Sequence, residues 1–293
     1  MQTFRAEDGT RLAFRDEGAG LPMLALAGLT RDGRDFDYLA HHLPRDVRLI
    51  RLDSRGRGGS DWAAPETYNV AQETRDALAL LDHLGVARAA IIGSSRGGLI
   101  GMVIAATQKQ RLLGLCLNDV GPALEHAGLL RIGSYVGVAP TVASLAEIAD
   151  RLPVAMPGFH RVPNRRWQEE AVRHYVQLKD RVGLTYDPAL RAGFDKALAG
   201  GPLPPAWPLF EACADLPLAL LRGSDSDVLS RETAAEMCER RPDMVFREVA
   251  GRGHIPFLDE PEALDGVACW LALVREFAAR PAAPAPLQPG LVG

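Results

Sequence analysis

The stretch Ala89-Ala90-Ile91-Ile92-Gly93-Ser94-Ser95-Arg96-Gly97-Gly98 decides how the rest of the chain is read. An apolar run closes in Gly-x-Ser-x-Gly, and a helical pattern from Leu99 to Ala106 begins directly behind it. The spacing reads as a strand, a sharp turn with Ser95 at its apex, and a helix. A serine held in a strained backbone conformation needs neighbours at minus two and plus two that lack a Cβ, and Gly93 and Gly97 meet that need. Gly98 would let the helix approach the strand closely. The Arg96 N–H belongs to the helix N-terminus and points toward where an oxyanion would form. Ser94 is expected on the sheet side of the turn, in packing or a supporting hydrogen bond.

Outward from this turn, strand and helix patterns alternate. Upstream, Phe4–Ala6 and Leu12–Arg15 flank Asp8-Gly9-Thr10 as a β-hairpin. Pro22–Ala27 is a continuous apolar run suited to a strand buried on both faces, followed by a helix through Phe36, Leu39 and Leu43. Val47–Leu52 reads as a strand and Val70–Leu84 as a helix. Downstream, Leu112–Leu117 is a strand ending in Asn118-Asp119-Val120-Gly121-Pro122. This rhythm predicts an α/β fold with a doubly wound, mostly parallel sheet.

Between about 123 and 214 the rhythm changes to helical patterns without a clear strand: Leu124–Gly137, Thr141–Leu152, Arg165–Arg181 and Pro188–Leu198. This segment reads as a helical insertion, with 1–122 and 215–279 forming the core. The sheet resumes at Pro217–Leu221, then a helix at Arg231–Arg240, a strand at Met244–Val249, and a helix from Glu260 toward Phe277. The Pro/Ala-rich segment 280–293 reads as a disordered tail.

With 293 residues, 47% of them hydrophobic, the chain can bury a large core. A net charge of −4 and a pI near 6.0 offer no field for nucleic acid. No run is long and apolar enough for a membrane span or a signal core, so neither a nucleic-acid nor a membrane partner is expected. Cys116, Cys213, Cys238 and Cys269 stand far apart and read as free thiols of a reducing cytoplasm. The cluster Asp53-Ser54-Arg55-Gly56-Arg57-Gly58-Gly59-Ser60 lacks both the spacing of a dinucleotide loop and a Walker lysine, so phosphate binding is excluded.

Serine is a poor nucleophile at neutral pH and needs a base, which in turn needs an orienting carboxylate. In an open parallel sheet these groups meet at the carboxyl ends of strands. Three such ends carry Ser95, then Asp225 and Asp227 behind Leu221-Arg222-Gly223, then His254 behind Gly251-Arg252-Gly253. His126, His160 and His174 fall on predicted helices or loops of the insertion and read as surface residues.

Taken together, Gly28-Leu29, the Asp53–Ser60 loop, Gly93–Gly97, Gly223–Leu229 and Gly253–Glu262 resemble the α/β-hydrolase superfamily in its cap-bearing branch. The resemblance spans residues 10 to 278 apart from the insertion. It implies an α/β-hydrolase fold, Ser95 as nucleophile and His254 as general base. The commoner family position for the acid is held here by Ser226, and a subset with Gly-x-x-Ser-Asp matches Asp227. Asp227 is therefore the expected acid, with Asp225 and Asp119 as alternatives; some relatives draw their acid from the strand end that Asp119 occupies. The family's second oxyanion donor falls on the Leu29 N–H, with Ala27 where a histidine is usual, beside the Arg96 N–H. Asp53 and Arg55 are expected to brace the site.

The Arg96 side chain opposes the helix dipole by about 0.3–1 kcal/mol, so it is expected to reach away to a carboxylate; the alternative is recognition of an anionic acyl group. The function implied is hydrolysis of a small carboxylic ester or lactone, with Trp207, Phe210 and Tyr135 as candidates for an apolar wall. A carbon–carbon or thioester hydrolase with the same triad, and a low-turnover small-ligand receptor, are the alternatives. Aspartate rather than serine at the elbow marks haloalkane dehalogenases and related epoxide hydrolases, so both are set aside. No metal or organic cofactor is expected, the partner is a small acyl substrate, and the protein is a monomer or homodimer.

Overall fold

The computed structural model describes residues 1–280; the tail expectation at 281–293 lies outside the described residues. Eight strands make one sheet: β1 (Gln2–Arg5), β2 (Arg11–Glu17), β3 (Leu21–Leu26), β4 (Val47–Leu52), β5 (Ala89–Ser94), β6 (Leu112–Asn118), β9 (Leu218–Gly223) and β10 (Val245–Val249). Their order is β1-β2-β4-β3-β5-β6-β9-β10. The β1–β2 and β2–β4 pairings are antiparallel and the rest are parallel. The fold is thus the α/β-hydrolase fold that the motifs imply.

The central strands are apolar on both faces because both faces are covered. Leu24, Leu26, Ile91, Leu115, Leu117, Leu218 and Leu220 point one way, beneath α2 (Val70–His83), α3 (Arg96–Gln108), α8 (Trp207–Glu211) and α9 (Arg231–Arg240). Met23, Ala25, Ala90, Ile92, Cys116, Ala219 and Leu221 point the other way, beneath α1 (Asp37–Ala40) and α10 (Pro261–Ala278), whose Trp270 is fully buried. Burying one such large apolar side chain contributes about 1.5–3 kcal/mol, so the central strands are the firmest part of the molecule.

Register then places the functional ends. Leu26 lies opposite Gly93, Ser94 opposite Asn118, Asn118 opposite Leu221, and Gly223 opposite Val249. The chain therefore leaves β3, β5, β6, β9 and β10 at one level, along a single rim.

Between β6 and β9 run α4 (His126–Tyr135), α5 (Leu145–Ala155), α6 (Asn164–His174) and α7 (Leu190–Leu198), ahead of α8. Two small apolar clusters hold this insertion. One packs Leu129, Ile132, Val136 and Leu190 against Tyr68 and Val228 of the core; the other gathers Val142, Ile148, Leu152, Trp167 and Val182.

Two differences from the sequence reading stand out. The helix from Arg165 ends at His174, and Tyr175–Gln177 (β7) pairs with Val182–Leu184 (β8) as a two-stranded hairpin. Tyr175 is extended (φ −134°, ψ 160°), and the Leu178 N–H closes the turn on the Arg181 carbonyl. Three-residue strands carry too short an alternation to interrupt a helical period. The helix through Leu43 is shorter than expected: a 3-10 turn at Gly33–Phe36 and α1 only, since Pro44 disfavours helical geometry at Leu43. Among the described residues no helix is long and apolar enough to cross a membrane.

Candidate active site

Ser95 sits at the apex of the β5–α3 turn with φ +50° and ψ −115°. The turn closes only because its neighbours lack side chains: a Cβ on Gly93 would come within 2.4 Å of Gly97 backbone, and one on Gly97 within 2.0 Å of the Leu26 carbonyl oxygen. Ser94 points into the sheet, where its Oγ accepts from Asn118 Nδ2 at 3.0 Å.

His254 follows β10 and lies almost wholly buried, its Nε2 2.9 Å from Ser95 Oγ and its Nδ1 2.8 Å from Asp119 Oδ2. With Nδ1–H donated to the carboxylate, Nε2 is left to accept from the serine hydroxyl. The carboxylate on His254 is thus Asp119, at the end of β6, and not Asp227. Asp119 is fully buried and fixed on three sides: its Oδ1 accepts from the Gly223 N–H at 2.9 Å, and its Oδ2 from Ser226 Oγ at 2.6 Å as well as from the histidine. Ser226, where the commoner pattern has aspartate, here serves the carboxylate instead of being it.

Asp227 turns to α4, where Arg131 grips both its oxygens through Nε and Nη2. Burial works against its ionisation, but Arg131 outweighs burial and, with a smaller contribution from His254, holds the carboxyl below the usual range. Asp225 faces solvent, accepting from Ser224 Oγ at 2.6 Å, with His160 3.8 Å away. The cause is simple: β6 and β9 are neighbours, so their end loops, far apart in sequence, lie side by side, and only the fold says which carboxylate reaches the imidazole.

Gly28 and Leu29 leave β3 beside the serine: a methyl on Gly28 would lie 3.7 Å from Ser95 Cβ. Neither the Leu29 nor the Arg96 N–H donates to another described residue, which suits both to an anionic oxygen above Ser95. Beneath them lies a buried charge set that sequence reasoning missed. Arg57 Nε donates to the Leu29 carbonyl at 2.8 Å, and its Nη1 to Glu73 Oε1 at 3.0 Å. Arg96 closes the circuit, donating Nε to Glu73 Oε2 at 2.8 Å and Nη2 to Oε1 at 2.9 Å. Burial opposes a charged Glu73, but the two guanidinium groups outweigh it and hold its carboxyl low.

One acid with two arginines leaves net positive charge below the two free N–H groups. Arg96 thus reaches away to a carboxylate, Glu73, to which both its Nε and its Nη2 are committed. Asp53 and Arg55 are bound structurally: Asp53 accepts from the Gly33 and Gly59 N–H groups, and Arg55 pairs with Asp76 and Asp8.

A cavity of about 150 Å³ opens at His254 between the sheet rim and the insertion. Arg31, Arg131, Tyr135, His174, Tyr175 and Tyr186 supply its polar lining, and Leu152, Met156 and Leu184 part of its apolar wall. His174, expected on the surface, is instead mostly buried and bonded to Glu170 at 3.0 Å. Of the three aromatic candidates only Tyr135 lines this cavity; Trp207 and Phe210 pack against the core under α3. All four cysteines are free, with Cys116 and Cys213 buried away from this rim and burial pushing both thiols up, Cys213 to about 12.

Comparison with known proteins agrees with this architecture. A family model described as the alpha/beta hydrolase family matches residues 23–267. The chain belongs to the α/β hydrolase family and is an enzyme of the hydrolase class. It is 38% identical to a 3-hydroxybutyrate-oligomer hydrolase of Cupriavidus necator over 263 residues, 86% of this chain and 89% of the relative. A crystal structure of an α/β hydrolase from Novosphingobium aromaticivorans superposes with a TM-score of 0.87 at 37% identity, covering 93% of this chain and 97% of that one. A thermophilic esterase from Thermogutta terrifontis, 22% identical, shares the fold at a TM-score of 0.72 over 94% of this chain and 99% of its own.

Proposed function

We propose that this enzyme hydrolyses small carboxylic esters through an acyl-enzyme on Ser95, with His254 as general base and Asp119 as its orienting acid. The observation that carries this reading is the continuous hydrogen-bond relay Ser95–His254–Asp119, at 2.9 and 2.8 Å. His254 Nε2 takes the hydroxyl proton as Ser95 Oγ attacks the ester carbonyl. The oxygen of the tetrahedral intermediate rests on the Leu29 and Arg96 N–H groups, a contribution typically worth about 2.7–4 kcal/mol per donor. Collapse breaks the C–O bond, and the alcohol leaves with the proton held by His254. Water, deprotonated by the same nitrogen, then cleaves the acyl-enzyme and releases the acid.

In this reading 1–122 and 215–279 form the catalytic core, and 123–214 is a cap whose α4–α6 face closes over the substrate. The 38% identical relative acts on 3-hydroxybutyrate oligomers, which supports esters of short hydroxy acids as the substrate class. The test is treatment with a serine-reactive phosphonate, read by intact mass, beside Ser95→Ala. One adduct that disappears in the variant, with turnover on a short-chain ester panel, is the expected result. A folded protein that takes no adduct and turns over no ester would overturn the proposal.

A further inference from the structure

The charged side chains that line the cavity beside His254 are of one sign. Arg31 and Arg131 enter its wall with His174, while no aspartate or glutamate is among the described residues that line it. The acids that hold these arginines are not part of the described lining. Arg131 commits Nε and Nη2 to Asp227, which leaves Nη1 without a short hydrogen bond among the described residues, with the Tyr135 hydroxyl beside the guanidinium. Arg31 commits Nη1 to Asp35 at 3.2 Å, with Glu170 3.8 Å away, which leaves Nε and Nη2 uncommitted in the same sense. Asp35 and Glu170 are 7% and 2% exposed, so neither competes from the open side of the cavity.

The two guanidinium groups line the same cavity, together with Tyr135, on which both charges act. Arg31 is close to the reacting centre, because its Cδ lies 3.6 Å from where a Gly28 Cβ would sit, and that point is 3.7 Å from Ser95 Cβ. Donors held in place by acids outside the lining, facing a small cavity beside His254, suit a planar anion.

We propose that Arg31 and Arg131 bind a free carboxylate on the substrate, so that the preferred esters are monoanions whose carboxylate lies a few bonds from the scissile carbonyl. This rests on the ester-hydrolase reading and adds its selectivity determinants. The anion reader is thus built from the loop after β3 and from the insertion, and not from the Arg96 side chain.

The test compares kcat/KM for monomethyl succinate and dimethyl succinate, which share a skeleton and differ by one charge. The native enzyme is expected to favour the monoester, and Arg131→Gln and Arg31→Gln to reduce that preference by on the order of tenfold to a hundredfold, the value of a charge-assisted hydrogen bond. Arg131→Lys should recover part of it. A preference for the diester, or a ratio that the variants leave unmoved, overturns the inference. Calorimetric titration with succinate separates it from the catalytic reading. If Ser95 takes no phosphonate and no ester is cleaved, succinate binding that weakens in Arg131→Gln still upholds the anion site, and binding that is absent or equal in both proteins rejects it.

Discussion

The rim of the sheet and the insertion above it face each other across one cavity, yet different forces hold them. Ser95, Asp119 and His254 follow the ends of strands packed between two apolar layers, and the level of those ends follows from register. The insertion adds charge to its two small apolar clusters: Arg166 to Asp259, Arg131 to Asp227, Arg31 beside Glu170, and Arg34 to the carbonyls of Val172 and Arg173. It also leaves Leu130, Val138, Val154 and Val172 exposed, where the core strands leave nothing apolar uncovered. The contrast teaches a division of labour. Apolar packing fixes the serine, aspartate and histidine of the rim, and ion pairs, which respond to pH, help hold what lies over them.

The strongest way to break this comparison is at the rim. His254→Ala should lower kcat by on the order of 10⁴-fold or more in a protein that remains folded by circular dichroism, because base and nucleophile act as a unit. A loss of less than tenfold would remove the rim from the chemistry.

Next comes the choice of carboxylate. Asp119→Asn should reduce kcat by about 10⁴-fold, as expected when the amide cannot hold the histidine tautomer. Asp227→Asn should act through Arg131, changing KM and substrate selectivity with kcat altered by no more than about tenfold. Steady-state kinetics on one ester with both variants decides it, and the reverse ranking would return the acid to the β9 loop.

Glu73→Gln probes the charge set beneath the two free N–H groups. Removing one partner of a buried ion pair costs about 3–5 kcal/mol, so urea unfolding should shift markedly. Because Arg57 holds the Leu29 peptide and Arg96 begins α3, kcat should also fall by up to about a hundredfold, the cost of a misplacement near 1 Å. Full activity in the destabilised variant would make the set purely structural.

The smallest expected effect lies in the insertion and depends on pH. Burial opposes the charge on Glu170, but His174, Arg31 and a hydrogen bond from Tyr38 outweigh it and lower its pKa from the ordinary 4.5 to about 2. A carboxyl depressed in the folded state adds stability that is present above its ordinary pKa and disappears as pH falls from about 4.5 toward 2. Thermal midpoints measured across that window should fall less steeply in Glu170→Gln than in the native protein. Equal slopes would show that Glu170 does not fasten the insertion.

How much was legible in the sequence follows the same division. Gly93, Ser95 and Gly97 announce their turn because only glycine tolerates the contacts of that backbone, and the apolar run of β5 announces a strand covered on both faces. These are local constraints, so they leave a local mark. The β7–β8 hairpin and the end of α6 at His174 left almost none, since three-residue strands hardly disturb a helical pattern.

By itself, then, the sequence determined the α/β class, the order of strands and helices in the core, the serine at the turn and the histidine at the last strand end. Tertiary structure alone decided that Asp119 rather than Asp227 meets His254, that Glu73 ties Arg57 to Arg96, and that Arg31 and Arg131 share a cavity. The reason is physical. Local patterns record backbone sterics and burial, whereas the choice among several carboxylates for one partner is made by pairing between strands distant in sequence, and any ionised aspartate looks alike until its neighbours arrive.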